Sequence, residues 1–590
     1  MTRRGVSSPL LLAVALSMLV PAPSTRAQEF ADLVVLNGDI YTGDPDRPRV
    51  EALAVHDGIV VALGDSRSIT ERHRGPETEV LDLQGKAAIP GLIDAHAHLE
   101  NLGTFLRTVD LVGTRSPDEV AERVHAATSN RPPGEWILGR GWDQNDWSRK
   151  EFPEADILDR AAPDHPVYLE RVDGHAIWVN TKALALAGVD ASTPDPRGGR
   201  ILRRLDGRPT GVLIDEAEDL IEPLVEPDAA EVEARLAAAQ DHVLAVGLTG
   251  IHDMGTQHQE VEVLARMARE GRLAPRVAVY LDGDDRELTE TWGARSEDDR
   301  EEGGRLRVVG VKLYADGALG SRGAALLEPY SDDPGNTGLL LTIPDSLRAL
   351  VTRALGVGLQ PAIHAIGDRG NRVALDAIEA GLTVTRNEGD CIIVGAAGGG
   401  GIATCPGVAA DSRPRIEHAQ VIALVDIPRF AELGVVASVQ PTHATSDMYW
   451  AEDRVGPERI EGAYAWRKLR GAGARLACGS DFPVENANPF HGLYAAVTRR
   501  DQEGWPDGGW HPEERMTREE ALACFTIDAA RAASMDDEVG SLAPGKRADF
   551  VVLDRDYFGV PEEEIWRIRV LRTVIDGETV FQAQATPLGP

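Results

Sequence analysis

From Ala31 to about Lys86 the apolar positions come in strand-sized runs. Leu33-Val34-Val35-Leu36, Ala52-Leu53-Ala54-Val55 and Ile59-Val60-Val61-Ala62-Leu63 are separated by the turn formers Asn37-Gly38 and Asp57-Gly58. The C-terminal stretch has the same character, in Ala548-Asp549-Phe550-Val551-Val552-Leu553 and in Val574-Ile575, which leads through Asp576-Gly577 to Thr579-Val580-Phe581. The two ends, residues 28–86 and 538–590, are therefore expected to form one small split β-sandwich. Between them short apolar runs alternate with helix-like stretches, the pattern of βα units around a parallel sheet. The strands end near His98, His252, Lys312, His364, His418, His443 and Asp481, and their order predicts a closed, TIM-like (β/α)8 barrel over residues 87–537. The segment from about Thr108 to Pro227 is too long for one βα connection and predicts an inserted subdomain. A shorter insertion runs from about Asp390 to Ser412. Its run Gly398-Gly399-Gly400-Gly401 predicts a flexible loop rather than a phosphate cradle, since no Lys-Ser/Thr follows.

The first residues change this picture at one end only. Arg3 and Arg4 precede an apolar run from Leu10 to Val20 and a cleavage-like Thr25-Arg26-Ala27, the plan of a secretory signal peptide over residues 1–27. The run is about half the roughly 20 residues a spanning helix needs, so no stable membrane insertion is expected, and a periplasmic or secreted location is. Loss of Arg3, Arg4 and Arg26 with no acid would move the net charge from −34 to −37 (−34 minus 3), a surface that repels nucleic acid. Four cysteines are too few for a disulfide scaffold. Cys391 and Cys405 could close a short loop or stay as thiols, and Cys478, two residues before Ser480, is expected to pack inside the barrel.

Lysine is scarce here, with six in all, and one of them, Lys312, ends the run Val308-Val309-Gly310-Val311. An amine in such a place must lose its charge, find a partner or be modified. His96-Ala97-His98 closes another apolar run, and residues two apart on a strand face the same way, so both imidazoles point to one side of the barrel mouth. His364 follows Gln360-Pro361-Ala362-Ile363, His418 follows Arg415-Ile416-Glu417, and Asp481 follows Cys478-Gly479-Ser480. One strand-end histidine is usually a packing residue. Four of them, with a lysine and an aspartate, on one face are hard to explain that way, and imidazole nitrogen and carboxylate oxygen are the ligand types that a borderline divalent metal such as zinc takes.

In order and in flanking text this set resembles the amidohydrolase superfamily, and within it the amidohydrolase-3 group that includes N-substituted formamide deformylases. The resemblance is carried by Val311-Lys312-Leu313-Tyr314-Ala315-Asp316-Gly317, His364-Ala365-Ile366-Gly367-Asp368-Arg369, Arg415-Ile416-Glu417-His418-Ala419-Gln420 and Gly479-Ser480-Asp481-Phe482-Pro483-Val484. It implies that His96, His98 and Asp481 bind a buried metal and that His364 and His418 bind a second, more exposed one. Lys312 would bridge the two as a carbamate formed with carbon dioxide, and Asp481 would pass a proton from the attacking hydroxide to the leaving amine. The plain alternative is a single metal with Lys312 unmodified and paired with Asp316.

Asp316 could also cap a following helix. The phrase Gly141-Trp142-Asp143-Gln144-Asn145-Asp146-Trp147 and Asp173-Gly174-His175 fall in the first insertion, where Trp142, Asp143 and His175 are candidate substrate contacts. Trp142 and Trp147 could equally anchor the subdomain. His443, expected to end the seventh strand, could polarise a substrate carbonyl. His252 and Asp253 are ambiguous between support of the ligands and plain structure. The expected activity is metal-dependent hydrolysis of a non-peptide C–N bond in a small linear N-acyl or N-formyl amide. A cyclic amide, a deaminase substrate or an ester is the alternative, and a non-catalytic metal- or solute-binding protein is the reading outside enzymology. The sequence leaves a homo-oligomer open.

Overall fold

In the computed structural model, which describes Met1 and residues 30–584 apart from 130, 173–175, 198, 297, 388–391, 395–401 and 405–411, eight parallel strands form the central sheet. They are β1 (Leu92–Ala97), β2 (Leu248–Thr256), β3 (Arg276–Asp282), β4 (Leu306–Tyr314), β5 (Gln360–Ala365), β6 (Arg415–His418), β7 (Val436–Val439) and β8 (Arg475–Cys478). Each pairs with the next in chain order, and a parallel bridge between Ala97 and Phe482 closes the ring. Strands covered on both faces read as near-continuous apolar runs, as in Val308-Val309-Gly310-Val311. The helices between them carry apolar positions on one face. Ala229–Ala245, for example, is started by Asp228, whose carboxylate accepts from the Ala230 and Glu231 amides.

Three details differ from the sequence expectation. The strand missing from it is β3, which ends at Asp282 and carries no histidine or lysine of the kind that marked most of the others. The run from Ala87 to His98 is two strands rather than one. Ala87–Pro90 joins the small domain and β1 the barrel, parting at Gly91, where a Cβ would lie 2.1 Å from Thr249 Oγ1. His443 does not end a strand, because β7 stops at Val439 and His443 lies in the helix Pro441–Asp447.

Both chain ends build the small domain. A four-stranded sheet holds Leu33–Leu36, Ala52–His56, Ile59–Gly64 and Glu79–Asp82. A six-stranded sheet sets Phe550–Leu553, Val570–Ile575 and Glu578–Gln582 beside Ala87–Pro90, Asp39–Tyr41 and Arg49–Val50. Leu33, Val35, Leu53 and Val55 share one core with Phe550, Val552 and Val574, so the sandwich needs both ends. Arg276, at the start of β3, pairs with Asp549 at 2.7 Å and ties the sandwich to the barrel floor.

The first insertion forms its own six-stranded sheet, from Val109–Asp110 to Pro209–Asp215, around a tryptophan-rich core. In the second, Ile392–Val394 and Ile402–Thr404 pair antiparallel. Cys391 and Cys405 lie outside the described residues. Cys478 is not a free packing residue, since it is joined by a disulfide to Cys524 at a Cα–Cα distance of 5.1 Å. No helix among the described residues is long and apolar enough to cross a membrane.

Candidate metal centre

The C-terminal ends of β1, β4, β5, β6 and β8 bring His96, His98, Lys312, His364, His418 and Asp481 together at the barrel mouth. Lys312 Nζ lies 3.2 Å from His96 Nε2. Asp481 Oδ1 lies 3.1 Å from His98 Nε2 and 3.5 Å from His96 Nε2. The His418 ring stands 4.8 Å from that of His96 and 4.5 Å from that of His364, so it links the two halves of the set. The donor atoms of His96, His418 and Asp481 all lie within 4.8 Å of one another.

What turns this cluster into a candidate ligand set is the far side of each ring. His96 Nδ1 is 2.6 Å from Glu417 Oε2, His98 Nδ1 is 2.8 Å from the Met254 carbonyl, and His418 Nδ1 is 2.9 Å from Gln440 Oε1. Facing acceptors, these three nitrogens carry the proton, which leaves each Nε2 with a bare lone pair aimed at the centre. His364 Nε2 is buried with no hydrogen-bond partner. Converging lone pairs, with Lys312 Nζ standing among them at 3.2 Å from His96 Nε2, fit a divalent cation.

The electrostatics agree. Burial, with the Lys312 charge second, lowers His96 to about 4 and His364 to about 3, so both are neutral, as a metal ligand must be. Burial alone would raise Asp481, but the neighbouring His96 imidazole and others outweigh it and hold the carboxyl well below its ordinary range. Lys312 is pushed down to about 8, chiefly by burial, which makes the neutral, carbon dioxide-reactive amine accessible near neutral pH.

The backbone is shaped to deliver these groups. Asp94, fully buried, accepts from the His96 amide at 3.1 Å, the Ser480 amide at 3.0 Å and the Ser480 hydroxyl at 2.6 Å, locking the end of β1 to the loop that carries Asp481. Gly479 makes room for this contact, since a Cβ there would lie 2.5 Å from the His96 nitrogen. Sequence reasoning assigned no role to Asp94, Glu417 or Gln440. The available signal was their place beside the ligands, one or two residues away or at the next strand end.

Asp316 neither pairs with Lys312 nor caps a helix. Its carboxylate accepts from the Ala325, Ile366 and Gly367 amides and so ties the loop after β4 to the loop after β5. His443 does reach the centre from its helix, with Nε2 3.6 Å from Asp481 Oδ2 and its ring stacked 5.9 Å from that of His418. His252 turns inward to Arg415 at 2.8 Å. Asp253 accepts from the Leu99 amide at 2.7 Å, which holds the helix that follows His98. Trp142 is fully buried in the insertion's core, its indole N–H donating to the Leu169 carbonyl and its ring stacked with Trp147, so it anchors the subdomain and does not face a substrate. Asp143 is paired with Arg171 at 2.7 Å. His175 lies outside the described residues.

A family model for amidohydrolases matches residues 79–581. The chain belongs to the amidohydrolase family. Among curated proteins this amidohydrolase is 36% identical over 569 residues to the protein LONG AFTER FAR-RED 3 of Arabidopsis thaliana, covering 93% of this chain and 92% of that one. It is 30% identical to the N-substituted formamide deformylase of Arthrobacter pascens, over 93% of this chain and 98% of the relative. Among solved structures it matches an uncharacterized metal-dependent hydrolase from Pyrococcus furiosus at 31% identity and a TM-score of 0.70, covering 89% of this chain and 99% of that one. This amidohydrolase is accordingly a metal-dependent hydrolase with the barrel and β-domain architecture of its relatives.

Proposed function

We propose that this chain is an exported hydrolase that cleaves the C–N bond of a small linear N-acyl or N-formyl amide. The observation that carries the reading is the convergence of His96, His98, His364 and His418 on Lys312 and Asp481, three of the rings held from behind by an acceptor. Likeness to a formamide deformylase along nearly the whole chain supports the substrate class.

One or two divalent ions, zinc being well suited to imidazole and carboxylate, would be held by these residues and would supply an activated water and a polarised carbonyl. Lys312 serves this set best as a carbamate. Its neutral amine adds carbon dioxide and releases a proton, which replaces a buried cation by an anionic oxygen ligand. Asp481 accepts the proton lost by the attacking water and delivers it to the departing nitrogen. His443, within 3.6 Å of Asp481, orients the carboxylate or the substrate carbonyl. The leader-like N-terminus and the Cys478–Cys524 disulfide support export, because buried structural disulfides belong to oxidising compartments.

The test is a panel of N-formyl and N-acyl amides, lactams, nucleobases and esters offered to the metal-loaded mature protein. Preference for linear amides is expected. Faster turnover of lactams, nucleobases or esters would move the substrate class, and turnover of nothing would favour a binding role.

A further inference from the structure

The inward positions of a (β/α)8 barrel are ordinarily filled with branched apolar side chains. Here the interior beneath the metal centre holds a fully buried arginine, Arg415, two residues before Glu417 on β6 and therefore on the same face. Its guanidinium grips Glu417 with both arms, at 2.8 Å to Oε1 and 3.0 Å to Oε2. It also donates to the Ala95 carbonyl at 2.6 Å, and Ala95 is the residue just before His96. The rest of its capacity goes to Tyr280 and His252, both at 2.8 Å, and to Ser438 at 3.0 Å. Arg415 thus holds His96 twice, through the carboxylate that accepts from its ring and through the backbone beside it.

We propose that Arg415 is a positioning residue that acts through Glu417 to fix the Nδ1-protonated form and the orientation of His96, and so sets the affinity of the metal centre. The inference rests on the metal-binding reading of this site and adds the group that controls it. Three observations separate it from ordinary packing. A buried ion pair is weak evidence for stability, because hydrophobic replacements are often as stable, so its presence in a barrel interior asks for another reason. Glu417, held by the guanidinium at both oxygens, is itself aimed at one ligand ring, at 2.6 Å. Glu417 is also the immediate neighbour of His418, so one guanidinium steadies ligands that arrive on β1 and on β6.

The experiment measures metal affinity by chelator competition, with the visible spectrum of the cobalt-substituted protein as a second readout, so that turnover is not needed. Arg415→Lys and Glu417→Gln are compared with Tyr280→Phe and Ser438→Ala, which remove other contacts of the same guanidinium. The first two are expected to weaken metal binding about 10- to 100-fold and to alter the cobalt spectrum, as loss of a group behind a ligand does. The second two are expected to lower thermal stability and leave affinity within about twofold. Equal loss of affinity in all four, or wild-type affinity in folded Arg415→Lys and Glu417→Gln, would overturn the proposal. If those two variants fail to fold, the wild-type protein still decides. With 15N-labelled histidine, and His96→Asn to assign the signal, the proton must sit on His96 Nδ1, and a proton on Nε2 overturns it. Absence of stoichiometric metal from the wild type would sink the functional reading as well, whereas unaffected variants sink this inference alone.

Discussion

The disulfide between Cys478 and Cys524 lets the proposed export of the protein be checked against a magnitude. Cys478 ends β8, three residues before Asp481, and Cys524 ends the helix Arg518–Cys524, with both side chains fully buried. The perturbation is the double variant Cys478→Ala/Cys524→Ala, which removes the crosslink without leaving a buried hydroxyl. The bridge closes a segment with a sequence separation of 46. Loop-closure entropy for that length gives about 4 kcal/mol of stabilisation at 25 °C, within the range of about 2–5 kcal/mol seen when native disulfides are removed. Guanidinium-induced unfolding of the mature protein, with and without reductant, reads the difference. Peptide mapping after thiol blocking reads the bond directly. Separate, blocked Cys478 and Cys524 peptides in protein recovered from the export compartment would refute the reasoning. So would a double variant within about 1 kcal/mol of the oxidised wild type, a quarter of the loop-closure figure.

Three further outcomes test the site itself. Lys312→Ala should lose activity that short-chain carboxylates restore in part, and intact-protein mass should show one added carboxyl on the wild type that is absent from the variant. An unmodified and dispensable Lys312 would end the two-metal reading. Asp481→Asn should lower the turnover rate about 10²–10⁴-fold, the range for removing a general acid–base group, while metal analysis separates that loss from simple loss of a ligand. The acid sensitivity of the metal-free protein should include His364, whose folded pKa of about 3 lies below its ordinary 6.5. Below 6.5 the unfolded chain takes up a proton that the folded chain refuses. Its contribution is therefore fully present above 6.5 and lost as pH falls toward 3, by at most about 1.4 kcal/mol per pH unit. Asp94 and Asp316, raised to about 7 by burial, act in the opposite sense over part of this window. The clean readout is the difference between wild type and His364→Gln, whose acid limb should be shallower, and an unchanged limb would count against the buried, neutral ring.

The candidate ligands stand out in the sequence because each is a chemically unusual residue at the end of an apolar run, and period two puts His96 and His98 on one face whatever the rest of the fold does. The groups behind them were not. Glu417 meets His96 across 321 positions of sequence, and only the packing of β1 and β6 around one closed ring brings them to 2.6 Å. The pairing of Cys478 with Cys524 has the same origin, since nothing in their spacing distinguishes it from the pairing of Cys391 with Cys405. β3 was missed for the opposite reason: an ordinary apolar strand with no histidine or lysine at its end gives no more signal than a buried helix turn. Trp142 shows the limit of residue type as a guide. A tryptophan flanked by polar residues suits a pocket wall and a subdomain core equally well, and its full burial is a property of the sheet of the insertion.

Why Glu417 and His418 can both reach the centre follows from the backbone. In a regular strand consecutive side chains point to opposite faces, so Arg415 and Glu417 would enter the barrel and His418 would leave it. His418 instead has φ 71° and Ala419 φ 42°, a left-handed turn that ends β6 and swings the imidazole back over the mouth. Asp481, beyond β8, has φ 63° for the same purpose. Such conformations cost about 1–3 kcal/mol each in non-glycine residues and persist only where the surroundings over-determine them. Here the surroundings are the hydrogen bond from His418 to Gln440, the Arg415–Glu417 pair below it, and the Asp94 to Ser480 contacts beside Asp481. Strain at two of the candidate ligands and buried charge beneath a third are features that stability alone would remove. Together they point to a centre whose geometry is held for what it binds.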